Sequence, residues 1–273
     1  NNRKVLSLGT IDWVGIKGKR LIYQEFIAGT GGDIFANLAG GCSKGTTGIS
    51  RYDILNIQDT IVSRGFNSPD KQSLTIMINC SKEYSELPVL ENYIQCMYLA
   101  GNEYSKENKI KSHSMWISNH PIGPHLNVDI WKRVANNLEC NILCINPVIT
   151  TYESYSWAIH IINLLVKEDT GRTENIATTC RNFNNSLLNY SHYTNDVLRY
   201  NHLDDIINNR KYKLFKFCKS INSDIEQDTF DFVYNNYREI RMPLWEKFNK
   251  QHKGTIRNWW TKYTSERKYN GLA

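Results

Sequence analysis

A chain of 273 residues with 41% hydrophobic content is long enough to bury a substantial core, which excludes a disordered or low-complexity protein. Its formal net charge of +6 favours anionic partners, but the Lys and Arg residues are scattered and not gathered into blocks, which argues against a nucleic-acid-binding arm. No run of about eighteen apolar residues occurs and the first residues alternate charges with short apolar pieces, so neither a membrane span nor a secretory signal is predicted.

In chain order, Leu21 to Ile27 is a β-rich run, followed by AGTGGD and then by IFANLAGG, whose apolar spacing predicts a helix closed by glycines. A looser segment runs from Gly41 to Asp70, and SLTIMINC at Ser73 to Cys80 predicts a second strand. Leu90 to Gly101 predicts a helix, and Ser114 to Ser118 a short strand ending at Asn119-His120-Pro121. Val128 to Leu138 reads as a helix, Cys140 to Ile145 as a buried parallel strand and Thr151 to Val166 as a long helix. From Arg181 the pattern is helical and polar, with Pro243 predicted to break the last long helical stretch.

Strands alternating with helices predict an α/β fold: a central, mostly parallel sheet covered on both faces as a three-layer sandwich. No linker or repeat divides the chain, so residues 1–273 are expected to form one domain. The seven cysteines lack the spacing of a zinc knuckle and read as buried thiols of a reducing, cytoplasmic compartment. The many Trp and Tyr residues fall in helix and strand patterns, so they read as core and not as stacking platforms for nucleic acid.

Four stretches carry chemistry. In Ala28 to Asp33 the small residues Gly29, Thr30, Gly31 and Gly32 leave backbone N–H groups able to converge on an anion, and the helix dipole that follows adds to the attraction. The Lys-Ser/Thr ending of a Walker loop is missing, which disfavours ordinary ATP or GTP hydrolysis, and Asp33 suits a helix cap as well as a ligand. His120 follows a strand, where a parallel sheet presents its ligand crevice, and its near-neutral pKa suits a general base; His113 and His125 are neighbouring rivals. Asn146 at a strand end and Ser154, eight positions later on a helix, are spaced to face one ligand or to act as caps. Finally, HKGTIRNWW offers Lys253 as a cation, Gly254 as a bare N–H and Trp259 as an anchor, a combination that reads either as a turn closing over a bound nucleotide or as a helix stop with its anchor.

The last stretch resembles the C-terminal RKGxxGxW signature of sulfotransferases that use 3'-phosphoadenosine-5'-phosphosulfate. The remaining pieces follow that family's order: Ala28 to Ile34 is similar to its PKSGTTW phosphosulfate loop, Ser118-Asn119-His120 to its K(T/S)H strand end, and Asn146 with Ser154 to its Arg and Ser that hold the 3'-phosphate. The resemblance implies a P-loop nucleotide-binding fold and in-line transfer of a sulfuryl group to a hydroxyl or amine acceptor. Gly29 to Asp33 would hold the 5'-phosphosulfate, Asn146, Ser154, Lys253 and Gly254 the 3'-phosphate, and His120 would take the acceptor's proton, without a metal. Departures are plain: Gly29 stands at the family's loop Lys, Asn146 at its Arg, His252 and Arg257 at the first Arg and middle Gly of its signature. Each lost charge-assisted bond to an anion removes about 1.5–3 kcal/mol, so either Lys44, Lys111 or Arg257 substitutes, or the chain binds nucleotide without catalysis. A kinase-like phosphotransferase is the further alternative.

Overall fold

Arg20–Glu25 (RLIYQE) forms β1, and all of it beyond Arg20 is buried, as expected of a central parallel strand covered on both faces. The structure is a computed structural model and describes residues 17–18, 20–40, 46–49, 62–64, 73–79, 112–119, 128–190, 197–223 and 225–269. Around β1 lie β2 (Thr46–Ile49), β3 (Val62–Arg64), β4 (Ser73–Asn79), β5 (Ser112–Asn119), β6 (Asn141–Pro147) and β7 (Leu198–Tyr200), in the order β3-β2-β4-β5-β1-β6-β7. Every neighbouring pair is parallel except β2 with β3. The looser segment expected from Gly41 to Asp70 thus contributes β2 and β3 to the sheet. The helix expected at Leu90 to Gly101 lies outside the described residues.

The helices are α1 (Gly32–Gly40), α2 (Val128–Asn137), α3 (Tyr152–Thr170), α4 (Ile176–Asn189), α5 (His202–Ile207), α6 (Lys211–Ile221) and α7 (Gln227–Tyr269). Side chains alternate across β1, and the alternation sorts the layers. Tyr23 points to α2, with its ring 5.7 Å from that of Trp131. Ile22 faces the opposite way and joins Ile34, Phe35, Trp157 and Phe230 in the main core. The fold is therefore α/β with helices on both faces. Among the described residues the layers are unequal, because α1 and α3 to α7 all contribute to the main core.

Local chemistry sets the ends of α3. Thr151 is its N-cap and forms a capping box with Ser154, while Gly171, at φ 67°, ends it by turning left-handed and donating its N–H to Lys167. That stop lies beyond the Val166 expected from apolar spacing.

The largest departure from expectation is α7, which runs unbroken through Pro243 for 43 residues, about 65 Å. Proline removes one backbone bond. Tertiary packing holds the helix on both sides of that defect: Trp157 of α3 lies 5.8 Å from Tyr237, upstream of the proline, and 5.6 Å from Trp245, downstream. Cys140, Cys144, Cys180 and Cys218 are buried, and burial pushes the thiol of Cys140 up to about 11 and that of Cys180 up to about 12, which keeps both unreactive.

Candidate functional site

Parallel pairing in the order β5-β1-β6 places the carboxyl ends of the three strands that precede the sequence motifs side by side. Glu25 pairs with Asn119 on one flank of β1, and Gln24 with Ile145 on the other. After β1 the chain leaves toward β2 on one side, and after β6 it leaves toward β7 on the other. In open α/β sheets this reversal opens a crevice outside the carboxyl ends, where ligands bind.

The glycine turn follows β1. Thr30 closes it, donating both its N–H (3.0 Å) and its hydroxyl (2.8 Å) to the carbonyl of Ile27. Gly29 and Gly31 take φ of 91° and 75°, a region that disfavours side chains. A Cβ on Gly29 would fall 2.8 Å from the Ala158 carbonyl oxygen of α3, and one on Gly31 2.8 Å from His202 of α5. A Cβ on Gly32 would lie within 2.4 Å of three atoms of the Phe26 ring. The glycines therefore admit neighbouring helices and a ring. Asp33 is the second residue of α1 and not its cap.

His202 Nε2 donates to the Gly31 carbonyl at 2.9 Å. Burial lowers the His202 pKa to about 4 against the smaller opposing pull of the Gly31 bond and Asp205, so the ring is neutral at pH 7.

Asn146 is buried, and its amide donates to the Glu25 carbonyl at 2.7 Å, tying β6 to β1. Ser154 is fully buried in the capping box of α3 and accepts a bond from the amide of Asn201 at 3.1 Å. Asn146 and Ser154, two of the four residues expected to hold a 3'-phosphate, thus make bonds within the scaffold.

The expectation of a closing turn at Lys253 and Gly254 is corrected: both lie inside α7 and are exposed, and a Cβ on Gly254 would meet nothing within 4 Å. The tryptophans after them pin the helix. Asn184 of α4 donates to the Trp259 carbonyl at 3.1 Å, and Trp260 packs 5.3 Å from the ring of Tyr155. Arg257 lies 5.0 Å over the ring of Tyr152. His120, His125, Lys44 and Lys111 lie outside the described residues, and His113 falls within β5. Among the described residues no three His, Cys, Asp or Glu side chains are grouped to hold a metal.

A cavity of about 420 Å³ opens at the carboxyl ends of β6 and β7, between Ile27, α4 and the end of α7. Among the described residues, Arg199, Lys213 and Arg267 line it with one carboxylate, Asp204, which is itself paired with Arg210. Tyr190, Tyr200 and Tyr263 add rings, and Asn146 and Asn201 add amides. Tyr200 stacks on Phe217 at 3.6 Å and donates its hydroxyl to Asp205. Burial first, then this bond, pushes its phenol far above the ordinary range. Asp205, fully buried, also accepts from Arg210 Nε at 2.6 Å and from Lys213 Nζ at 3.2 Å, which fixes Lys213 at the rim.

The sequence offered no signal for this lining. Its cations come from β7, α6 and α7 with no shared spacing, and only the fold brings them together. Of the residues expected to bind nucleotide, the cavity includes Asn146 alone. Comparison of the chain with protein families, curated proteins and solved structures gives no match.

Proposed function

We propose that the chain binds a phosphorylated nucleotide in the crevice beyond β6 and β7. The observation that carries this reading is the position and lining of the cavity. It lies at the reversal of strand order, and three cations, three tyrosine rings and two amides meet there around about 420 Å³. Cations suit phosphate, rings suit a base, and amides suit ribose or base edges.

The narrower reading is transfer of a sulfuryl group from 3'-phosphoadenosine-5'-phosphosulfate to a hydroxyl or amine acceptor. The adjacency of β5, β1 and β6 supports it, because three of the four family-like motifs follow those strands. The residues that the resemblance assigns to the donor do not fit it as a set. The glycine turn is backed by α3 and α5, Asn146 and Ser154 hold scaffold bonds, and Lys253 with Gly254 is exposed along a helix. If the donor binds, Arg199, Lys213 and Arg267 are the groups able to neutralise its phosphates.

Calorimetry with 3'-phosphoadenosine-5'-phosphate, magnesium ATP and adenosine tests the proposal, paired with a turnover assay using labelled sulfuryl donor. The expected result is salt-dependent binding of the bisphosphate with little affinity for adenosine. Binding without turnover would remove the transferase reading and leave the nucleotide site. Failure of both phosphorylated ligands at millimolar concentration would remove the site as well.

A further inference from the structure

The buried positions of α7 follow the three- and four-residue spacing of one helical face, with Phe230, Tyr234, Tyr237, Trp245 and Phe248 against the core. The exposed side of the same helix is not uniformly polar. Phe232, Ile240 and Leu244 are 39%, 51% and 46% exposed, and Pro243 beside them is exposed as well. At about 100° per residue these four fall within about 120° of one another, along about 18 Å of helix. Apolar side chains scattered singly over a surface are ordinary, whereas a row of them on the open side of one helix marks a contact surface.

The charges around this row select its occupant. Glu239 and Lys247 are exposed, four residues before Pro243 and four after it. Neither is ion-paired among the described residues, and their separation is twice the four-residue step at which side chains of one helix pair. Pro243 itself has no N–H, so the carbonyl of Glu239 loses its helical donor. An apolar centre with an acid one turn to one side and a base one turn to the other is its own complement under two-fold symmetry. Two copies of α7 laid antiparallel with the axis at Pro243 set each Glu239 level with the partner's Lys247, whereas a parallel pair sets like charge on like.

From this complementarity we infer that the exposed face of α7 is a self-association surface, on which a second copy of the chain lays its own α7 antiparallel across Pro243. Ile240 and Leu244 of the two copies cover one another there and leave water together, with the Pro243 rings between them. The ammonium of Lys247 reaches the partner's Glu239, where it has N–H donors for the carboxylate and for the carbonyl that Pro243 leaves without one. The row is short, so the dimer is weak, with a Kd of about 10–100 µM. The surface is separate from the crevice, because Tyr263 and Arg267, which reach the crevice from α7, stand about 30 Å or more along the helix from Pro243.

Analytical ultracentrifugation of the full chain from about 1 to about 300 µM tests the surface. The expected result is a concentration-dependent shift from the 31.8 kDa monomer toward twice that mass. Ile240→Lys should raise the Kd at least about ten-fold, with a urea midpoint near that of the wild type when both are measured as monomers. Glu239→Lys and Lys247→Glu alone should each weaken the dimer, because each sets two like charges face to face, and the double variant Glu239→Lys with Lys247→Glu should restore it. A chain that stays monomeric over the whole range, or a dimer indifferent to Ile240→Lys, overturns the surface. A double variant no tighter than the single ones overturns the antiparallel pairing. Loss of stability or of folding in monomeric Ile240→Lys overturns the proposal in favour of a face covered by another segment of the same chain.

Discussion

The imidazole of His202 donates to the carbonyl of Gly31 at 2.9 Å across 171 residues of sequence, joining the helix that follows β7 to the turn that follows β1. The same histidine packs 4.9 Å from the ring of Phe35. The glycine turn and the wall of the crevice are thus one mechanical unit, since Asn201 and Asp204 on either side of His202 line the cavity.

That unit predicts acid sensitivity. His202 and His160 both have pKa values lowered by burial from 6.5 to about 4. Unfolded chains therefore bind protons that the native state does not, from about pH 6.5 down to about 4. Stability is fully present above that window and is lost as pH falls through it, at about 1.4 kcal/mol per pH unit for each histidine. Urea unfolding at pH 7 and pH 5 should show the loss. His202→Gln, which keeps a donor for Gly31, should remove about half of the pH dependence; a profile unchanged by this substitution would show that His202 is not the group titrating.

The glycines of the turn should be intolerant to the smallest side chain. Gly31→Ala combines a left-handed φ with contact to His202 and Leu203, and Gly29→Ala meets a backbone oxygen of α3 that cannot rotate aside. Each should cost about 3 kcal/mol. Gly29→Ala is expected to be the worse of the two, and a denaturant midpoint near that of the wild type would mean that α3 does not sit against the turn.

Legibility in the sequence followed burial. Strands β1 and β6 were readable because strands covered on both faces are continuous apolar runs, and the glycine turn was readable because left-handed backbone needs glycine. Asn146 and Ser154 were found by spacing, but a spacing does not say whether an amide holds a ligand or a neighbouring strand. The three residues of β7 carry no pattern of their own, and Arg199, Lys213 and Arg267 converge only once that strand and two helices are in place. Pro243 misled because local propensity forbids what Trp157, packed on both Tyr237 and Trp245, compensates.

Asp205 organises the rim of the crevice from inside the protein. It accepts from Tyr200, Arg210 and Lys213 while fully buried, so Asp205→Ala takes the acceptor from the Tyr200 hydroxyl and from Lys213 and leaves Arg210 with Asp204 alone. Thermal or urea unfolding should show a loss of about 3 kcal/mol. Lys213, no longer tethered, should also change the salt dependence of nucleotide binding, and an unaltered dependence would place the ligand away from this rim.

Two substitutions on α7 separate the crevice from the family-like signature. Arg267→Met should weaken binding of 3'-phosphoadenosine-5'-phosphate about ten-fold or more, because a charge-assisted bond to phosphate is lost. Lys253→Ala should leave it unchanged, since Lys253 is exposed on the helix and outside the cavity lining. The opposite result by calorimetry would put the nucleotide along the middle of α7, as the resemblance implies.

Gly254 decides between a helix and a turn without any ligand. In a turn that closes over a nucleotide its backbone would adopt a conformation that alanine resists, and Gly254→Ala would destabilise the chain by about 1 kcal/mol or more. In the interior of α7, exposed and with open space where a Cβ would stand, the same substitution removes the entropic cost of helical glycine and meets no steric opposition. The expected outcome is a gain of about 0.5–1 kcal/mol with no loss of helical circular dichroism. Equilibrium unfolding in urea reads the sign directly, and a destabilised variant would restore the turn and with it the reason to seek a phosphate beside Lys253.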